Sequence, residues 1–218
     1  MRARYTNEQM ETREIRKPAA GEFAFEITGG ALCLDFTNTL GDRAAERTNE
    51  HLHSFADLVA WSRQAGAVTP SQAARLLREA GRSPAAARAA LRKAVVVREL
   101  IHRVIAGGAQ APDLERFNEE VSLVLANLRL RREGRGYVWG WSEGHGKTDL
   151  GRMLWPVLRS AAELLTSGEL PRVRVCAEPT CGWLFLDRSK NGSRRWCDMK
   201  VCGNRAKARK FYKKSRAA

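Results

Sequence analysis

Four of the chain's five cysteines fall within its last fifth: Cys176, Cys181, Cys197 and Cys202. They form two pairs, each with four residues between its members, and fifteen residues separate the pairs. Two close pairs joined by a short reversing segment can deliver four sulfurs to the corners of a tetrahedron, and thiolates suit zinc. Two disulfides or four free thiols would use the same residues. However, the opening stretch "MRARYTNEQMETREIRKPAAG" lacks an apolar secretory core, and the default compartment is a reducing cytoplasm, where such a cluster reads as metal ligands. All four ligands are thiolates and no histidine lies nearby, so the site is closed: one structural zinc rather than a catalytic one.

The residues between the pairs read as a hairpin. "GWLFLD" is a strand rich in aromatic and aliphatic side chains, "RSKNGS" contains the turn signal Asn191-Gly192, and "RRWC" returns as the second strand. From Asn204 to Ser215 there is no Gly or Pro, so a helix follows, with Cys202 in its first turn. Knuckle, hairpin and helix together make a treble-clef or zinc-ribbon-like module over residues 172–218. A unit of about 45 residues has too small a core to stand alone, and a structural metal supplies the missing stability. Trp183, Phe185 and Trp196 fit a mini-core around the metal better than a stacking platform for bases.

Charge concentrates in the same place. Twelve basic residues lie between Arg188 and Arg216 against one acid, Asp198, so +11 of the net +14 is local. On a helical wheel, Arg205, Lys207, Arg209, Lys210, Lys213, Lys214 and Arg216 sweep an arc of roughly 200°, with Ala208, Phe211 and Tyr212 on the other side, free to pack on the hairpin. Arg194 and Arg195 extend that surface. Asn204 reads as a helix cap, or as a base-edge contact. A solvated face is the bland alternative for such a run, and a membrane-surface helix the weaker competitor because its apolar face is thin. The charges share one sign on a metal-held scaffold, which favours a nucleic acid, DNA before RNA.

Upstream the chain divides into a flexible lead-in (1–21) and a mostly helical domain (22–168). Apolar runs Phe23–Ile27 and Ala31–Phe36 flank "TGG" and suggest a β-hairpin. Helices are expected over "TNEHLHSFADLVAWSRQAG", "TPSQAARLLREAG" and "SPAAARAALRKAVVVRELIHRVIAGG", with Ser54 and Ser83 as caps. Further helices are expected over "APDLERFNEEVSLVLANLRLRREG" and "DLGRMLWPVLRSAAELLTSG". "GYVWGWSEG" reads as a strand that joins the early hairpin. The fold class is therefore mainly α with a small β-sheet, an α+β arrangement, followed by the zinc module.

Within the large domain Asp35, Asn38 and Arg43 form a polar cluster. It reads as local turn chemistry, or as a ligand pocket for a small-molecule or stress signal. His51 and His53 are badly spaced for a shared metal, His102 reads as packed, and His145 sits in a loop too short for a P-loop. Cys33 reads as a small buried hydrophobe. No nucleophile–base pair emerges, so an enzyme is not expected, and no apolar run is long enough to span a membrane.

The stretch "CGWLFLDRSKNGSRRWCDMKVCGNRAKARKFYKK" closely resembles the CGNR zinc finger, whose tetrapeptide stands here as Cys202-Gly203-Asn204-Arg205. "LCLDFTNTL" with Arg43 and "LVAWSRQAG" resembles that finger's usual partner, the bacterial ABATE domain, described as a stress-induced transcription regulator. The resemblance implies a bacterial, cytoplasmic DNA-binding protein that regulates transcription, with Cys176, Cys181, Cys197 and Cys202 as zinc ligands. Asp198 stands where a small residue such as serine is expected, an acid beside the basic surface. Three functions follow in order: a DNA-binding regulator whose helical domain senses a signal or forms a homodimer, an RNA-binding or ribosome-associated protein, and a zinc-held protein–protein adaptor.

Overall fold

The computed structural model of the protein describes residues 14–142 and 149–216, without the side chains of Lys213 and Lys214. The first part of the lead-in, His145 and those two side chains therefore lie outside the described residues. Residues 14–21 of the lead-in are tied to the end of a helix: the Arg16 amide donates to the Gln64 carbonyl at 2.8 Å and Arg63 donates to the Lys17 carbonyl at 3.2 Å.

Helices dominate, and their starts obey local rules. α2 (Phe55–Gln64) opens with a reciprocal pair in which the Ser54 hydroxyl accepts from the Asp57 amide while Asp57 accepts from the Ser54 amide. α3 (Pro70–Arg82) repeats the device with Thr69 and Gln72. α4 (Pro84–Ala106) begins on a proline whose φ is preset for a helix and stops at Gly107 in the left-handed region, φ 80°. Ser83 precedes it, but its hydroxyl makes no capping bond. α5 (Ala111–Leu125) and α6 (Leu154–Thr166) complete the shell, with Pro156 inside the first turn of α6.

The early hairpin is a correction. Leu32–Thr37 forms a short helix, α1, and Phe23–Ile27 is irregular. Every residue of α1 is buried, so no polar face reveals a 3.6 period and the run cannot be told from a strand. Asp35 folds back to accept from the Gly29 amide at 2.7 Å, and the Cys33 amide donates to Ser160 Oγ of α6 at 3.2 Å. α1 therefore runs through the middle of the core, against α4 and α6. Phe36 meets Trp61 at 4.9 Å between ring centroids, and Ala94, Val97 and Ile101 of α4 face Leu154, Val157, Leu158, Ala161 and Leu164 of α6 in one buried cluster.

Strands appear in three two-stranded antiparallel ribbons among the described residues. β1 (Leu40–Gly41) pairs with β2 (Asn49–Glu50). β3 (Leu128–Glu133) pairs with β4 (Gly136–Trp141), which corrects two expectations: α5 stops before "LRLRRE", and the "GYVWGW" strand finds its partner there and not near residue 30. Alternating Leu and Arg give that segment a period of two, which overrides the helical reading. β5 (Val173–Val175) pairs with β6 (Leu184–Leu186) at the entry of the cysteine module. No helix among the described residues is long and apolar enough to cross a membrane.

Candidate metal centre and nucleic-acid face

The four cysteines of the module converge. All are buried, and their sulfurs lie within 4.8 Å of one another. Cys181 Sγ is 3.7 Å from Cys197 Sγ, and Cys197 Sγ is 3.6 Å from Cys202 Sγ. A tetrahedron of thiolates about 2.3 Å from zinc has edges of about 3.8 Å, so the cage fits the ion. The Cys197 amide donates to the Cys176 sulfur at 3.4 Å. Four thiolates so close need a dication to coexist. Cys33 stands apart, fully buried in α1, with burial pushing its thiol up to about 12, as suits an inert core residue.

The scaffold differs from the expected hairpin. β6 pairs with β5, and the return segment "RRWC" is not a strand; it is held by the Ala177 amide donating to the Arg195 carbonyl at 2.8 Å. The turn itself forms where the Asn-Gly signal lies, with Gly192 at φ 59°. Buried Asp187 organises it, accepting from the Ser189 amide and hydroxyl and from the Arg194 amide. Trp183, Phe185, Trp196 and Val201 pack on the four cysteines, so the aromatics form the mini-core.

Cys202 lies in a wide π-type turn, Met199–Gly203, just ahead of α7 (Asn204–Ser215). Asp198 caps that turn by accepting from the Lys200 and Val201 amides, so the acid does structural work here. Asn204 is already helical and donates back to the Lys200 carbonyl at 2.8 Å. A Cβ at Gly203 would sit 2.5 Å from Met199 Sδ, a contact that the exposed Met199 side chain can relieve by moving.

The basic residues divide into two groups. Arg194 is spent internally: it donates to the carbonyls of Thr28, Trp196 and Cys197 and lies 4.4 Å over the Phe185 ring. Arg209 makes a two-pronged pair with Glu178, a buried residue of the first cysteine knuckle, and fastens α7 to the metal cage. Arg205 has a loose neighbour in Asp42 at 3.9 Å. Arg195, Lys200, Lys207 and Lys210 are exposed and form no ion pair among the described residues. Phe211 and Tyr212, expected to pack on the hairpin, are 69% and 68% exposed, because α7 projects beyond the small module.

Asn38 and Arg43 hold the seat of the module, and Asp35 braces Gly29, whose carbonyl accepts from the Leu186 amide. The Asn38 side chain acts as a strand surrogate: its amide donates to the Leu184 carbonyl at 2.9 Å while its oxygen accepts from the Leu184 amide at 3.0 Å. The Arg43 amide donates to the Cys181 carbonyl, and its guanidinium pairs with Glu99 and with the Thr37 carbonyl. Gly182, at φ 67°, brings the knuckle so close that a Cβ would lie 2.8 Å from Arg43 Cβ. Asp35 and Asn38 also touch a cavity of about 60 Å³ between Trp61 and Trp183.

Sequence reasoning misses the residues behind this seat. Arg98 is 2% exposed and grips Glu50 with two bonds of 2.7 and 2.6 Å, and its Nε donates to Glu99 at 2.8 Å. Burial by itself would raise Glu50 and Glu99, but the Arg98 guanidinium holds Glu50 below the ordinary carboxylate value, and those of Arg43 and Arg98 hold Glu99 below it. His102 is partly buried, its Nε2 has no hydrogen-bond partner among the described residues, and burial lowers its pKa, in keeping with a packed residue. His51 stacks on Phe23 at 5.0 Å.

The fold and the site together define a helical domain that carries a closed four-cysteine zinc finger with a projecting basic helix. Two family models match: the CGNR zinc finger over residues 172–215, and ABATE, described as "Putative stress-induced transcription regulator", over residues 30–168. The chain belongs to the ABATE family and carries a CGNR zinc finger that holds one zinc ion. No curated protein matches the chain.

Proposed function

We propose that the protein is a zinc-dependent DNA-binding regulator of transcription acting in the cytoplasm, with a module over 172–218 that grips DNA and a domain over 22–168 that seats it. The observation that carries this reading is the arrangement of α7: exposed lysines at Lys207 and Lys210 on a helix pinned to the zinc cage through Arg209 and Glu178. A polyanion gains most from charges held in place before it arrives. The family's description as a regulator supports the same conclusion. Arg195, Lys200 and Arg205 add to the face, whereas Arg194, Arg209 and Asn204 act by positioning it. Lys213 and Lys214 continue the helix.

The zinc in this reading supplies stability and no chemistry. Its thiolates fix the knuckle, the knuckle presents Glu178, and Glu178 orients α7. The 60 Å³ cavity is far below the roughly 300–1,000 Å³ of ordinary small-molecule sites. The large domain therefore serves as a platform first, and a sensing role would require the cavity to open.

The test is selection of the zinc-loaded protein on random duplex DNA and cellular RNA at physiological salt, followed by sequencing. An enriched duplex motif is the expected result. Enriched RNA would replace DNA with an RNA target, and no retention on either would leave the zinc-held adaptor. In parallel, Lys207→Glu/Lys210→Glu should lower duplex affinity and flatten its salt dependence without releasing zinc. Unchanged affinity removes α7 from the interface.

A further inference from the structure

We propose that the β3–β4 hairpin is a second nucleic-acid contact, an arginine-and-aromatic arm that enters a groove of duplex DNA; the proposal rests on the nucleic-acid reading of α7. The two strands run in tight register from Leu128 opposite Trp141 to Glu133 opposite Gly136, around a two-residue turn with Gly134 at φ 57°. Alternation puts Leu130, Arg132, Tyr137 and Trp139 on one face, and Arg131 with Val138 on the other.

Among the described residues, only the base of the arm is anchored. Trp141 meets Trp155 of α6 at 5.6 Å, and Ser142 bonds twice to Asn127. Beyond that base the arm is open: Leu130 is 58% exposed, Tyr137 66% and Trp139 50%. A lone hairpin is marginal in water, and a surface with this much exposed aromatic and aliphatic area marks a contact with something else.

Charge decides what that partner is. The arm carries Arg129, Arg131, Arg132 and Arg135 against one acid, Glu133. Arg129 is occupied, donating to the Ala126 and Leu128 carbonyls. Arg131, Arg132 and Arg135 are exposed and form no ion pair among the described residues. A second copy of the arm would bring like charges together, whereas a phosphate backbone complements them. A two-stranded ribbon also fits the major groove of DNA, about 12 Å wide. Gly140 helps, because it leaves room for the Arg131 stem to lie across the strand; a Cβ there would clash with Arg131 Cδ. Arg131, Arg132 and Arg135 would meet phosphates, and Trp139 with Tyr137 would make the apolar contact.

The experiment measures binding of the full zinc-loaded chain to a fluorescent random-sequence duplex across a salt series. Arg131→Glu/Arg132→Glu/Arg135→Glu should weaken binding and reduce the slope of log affinity against log salt by about 2–3. Trp139→Ala should weaken it about tenfold with the slope unchanged. The arm touches neither the metal cage nor the main core beyond its base, so zinc content and melting temperature should match the parent; the triple Arg→Gln variant gives the same slope change with no added repulsion. Wild-type affinity and slope in these variants, alongside a loss in Lys207→Glu/Lys210→Glu, would sink the arm alone. Preference for single strands over duplex would overturn groove entry. A parent protein that binds no nucleic acid would sink the α7 reading, and the arm with it.

Discussion

At the scale of single residues, Asn38 is the most exacting position in the seat. Its side chain supplies both a donor and an acceptor to Leu184, with both partners buried, so truncation leaves two backbone groups without water or protein to bond. Asn38→Ala should cost about 2–4 kcal/mol. Asn38→Asp should be worse, since a carboxylate would face the Leu184 carbonyl. Urea denaturation checks both, and a loss well under 1 kcal/mol would mean that the pairing contributes little. The Arg98 network is a second case. Glu50 and Glu99 have folded-state pKa values below the ordinary 4.5. Groups of that kind contribute stability that is present above the unfolded value and is lost as pH falls through the folded one. Stability should therefore drop as the solution is acidified below about 4.5, and Glu50→Gln, already lacking the charge, should show a shallower acid decline. Parallel acid profiles for the two proteins would exclude Glu50 as a source of the dependence.

At the scale of elements, α7 is held by an attachment narrower than its length. Its contacts run to the preceding π-type turn, loosely through Arg205 to Asp42 and, through Arg209, to Glu178; Phe211 and Tyr212 stay in water. Glu178→Ala should free the helix while the four cysteines keep the metal. Hydrogen exchange across residues 204–215 should then speed up several-fold with zinc content unchanged, and unaltered protection would show that helix propensity alone holds α7. The same elements show what the sequence could reveal. Cysteine spacing marks the zinc ligands directly, because four thiolates in two close pairs leave little else to build. The faces of α4 and α6 are legible because each has a polar side that exposes the period. α1 is not, since burial on every side erases it, and neither is the partner of β6, because strand pairing is set by the Asn38 surrogate and by β5, neither of which a turn signal reveals. The charge run was legible in total but not in its division: Arg194 and Arg209 look like Lys207 and Lys210 until the chain brings the Thr28 carbonyl and Glu178 beside them.

At the scale of the whole molecule, the finger and the helical domain share a strand. Along β6, Leu184 and Leu186 enter the main core at 1% and 2% exposure, while Phe185 between them packs on the cysteines. A strand that alternates between two cores couples them. The module is too small to stay ordered without its metal, and if it loosens, both leucines leave the main core along with the Asn38 pairing. Each buried leucine is worth about 1.5–3 kcal/mol, so zinc removal should destabilise the helical domain by about 3–6 kcal/mol. For a chain of this length that corresponds to a fall of about 6–24 °C in melting temperature. Calorimetry of the zinc-loaded protein should show one transition, and chelation should move that transition down as a unit, as should Cys176→Ser. If chelation leaves the main transition in place and removes only a minor amplitude, the two cores are independent, and a signal at the large domain could not reach α7 through β6. If the transition moves as a unit, metal loss and DNA release share a physical path: zinc orders β6, β6 completes the core, and the knuckle holds Glu178 against Arg209.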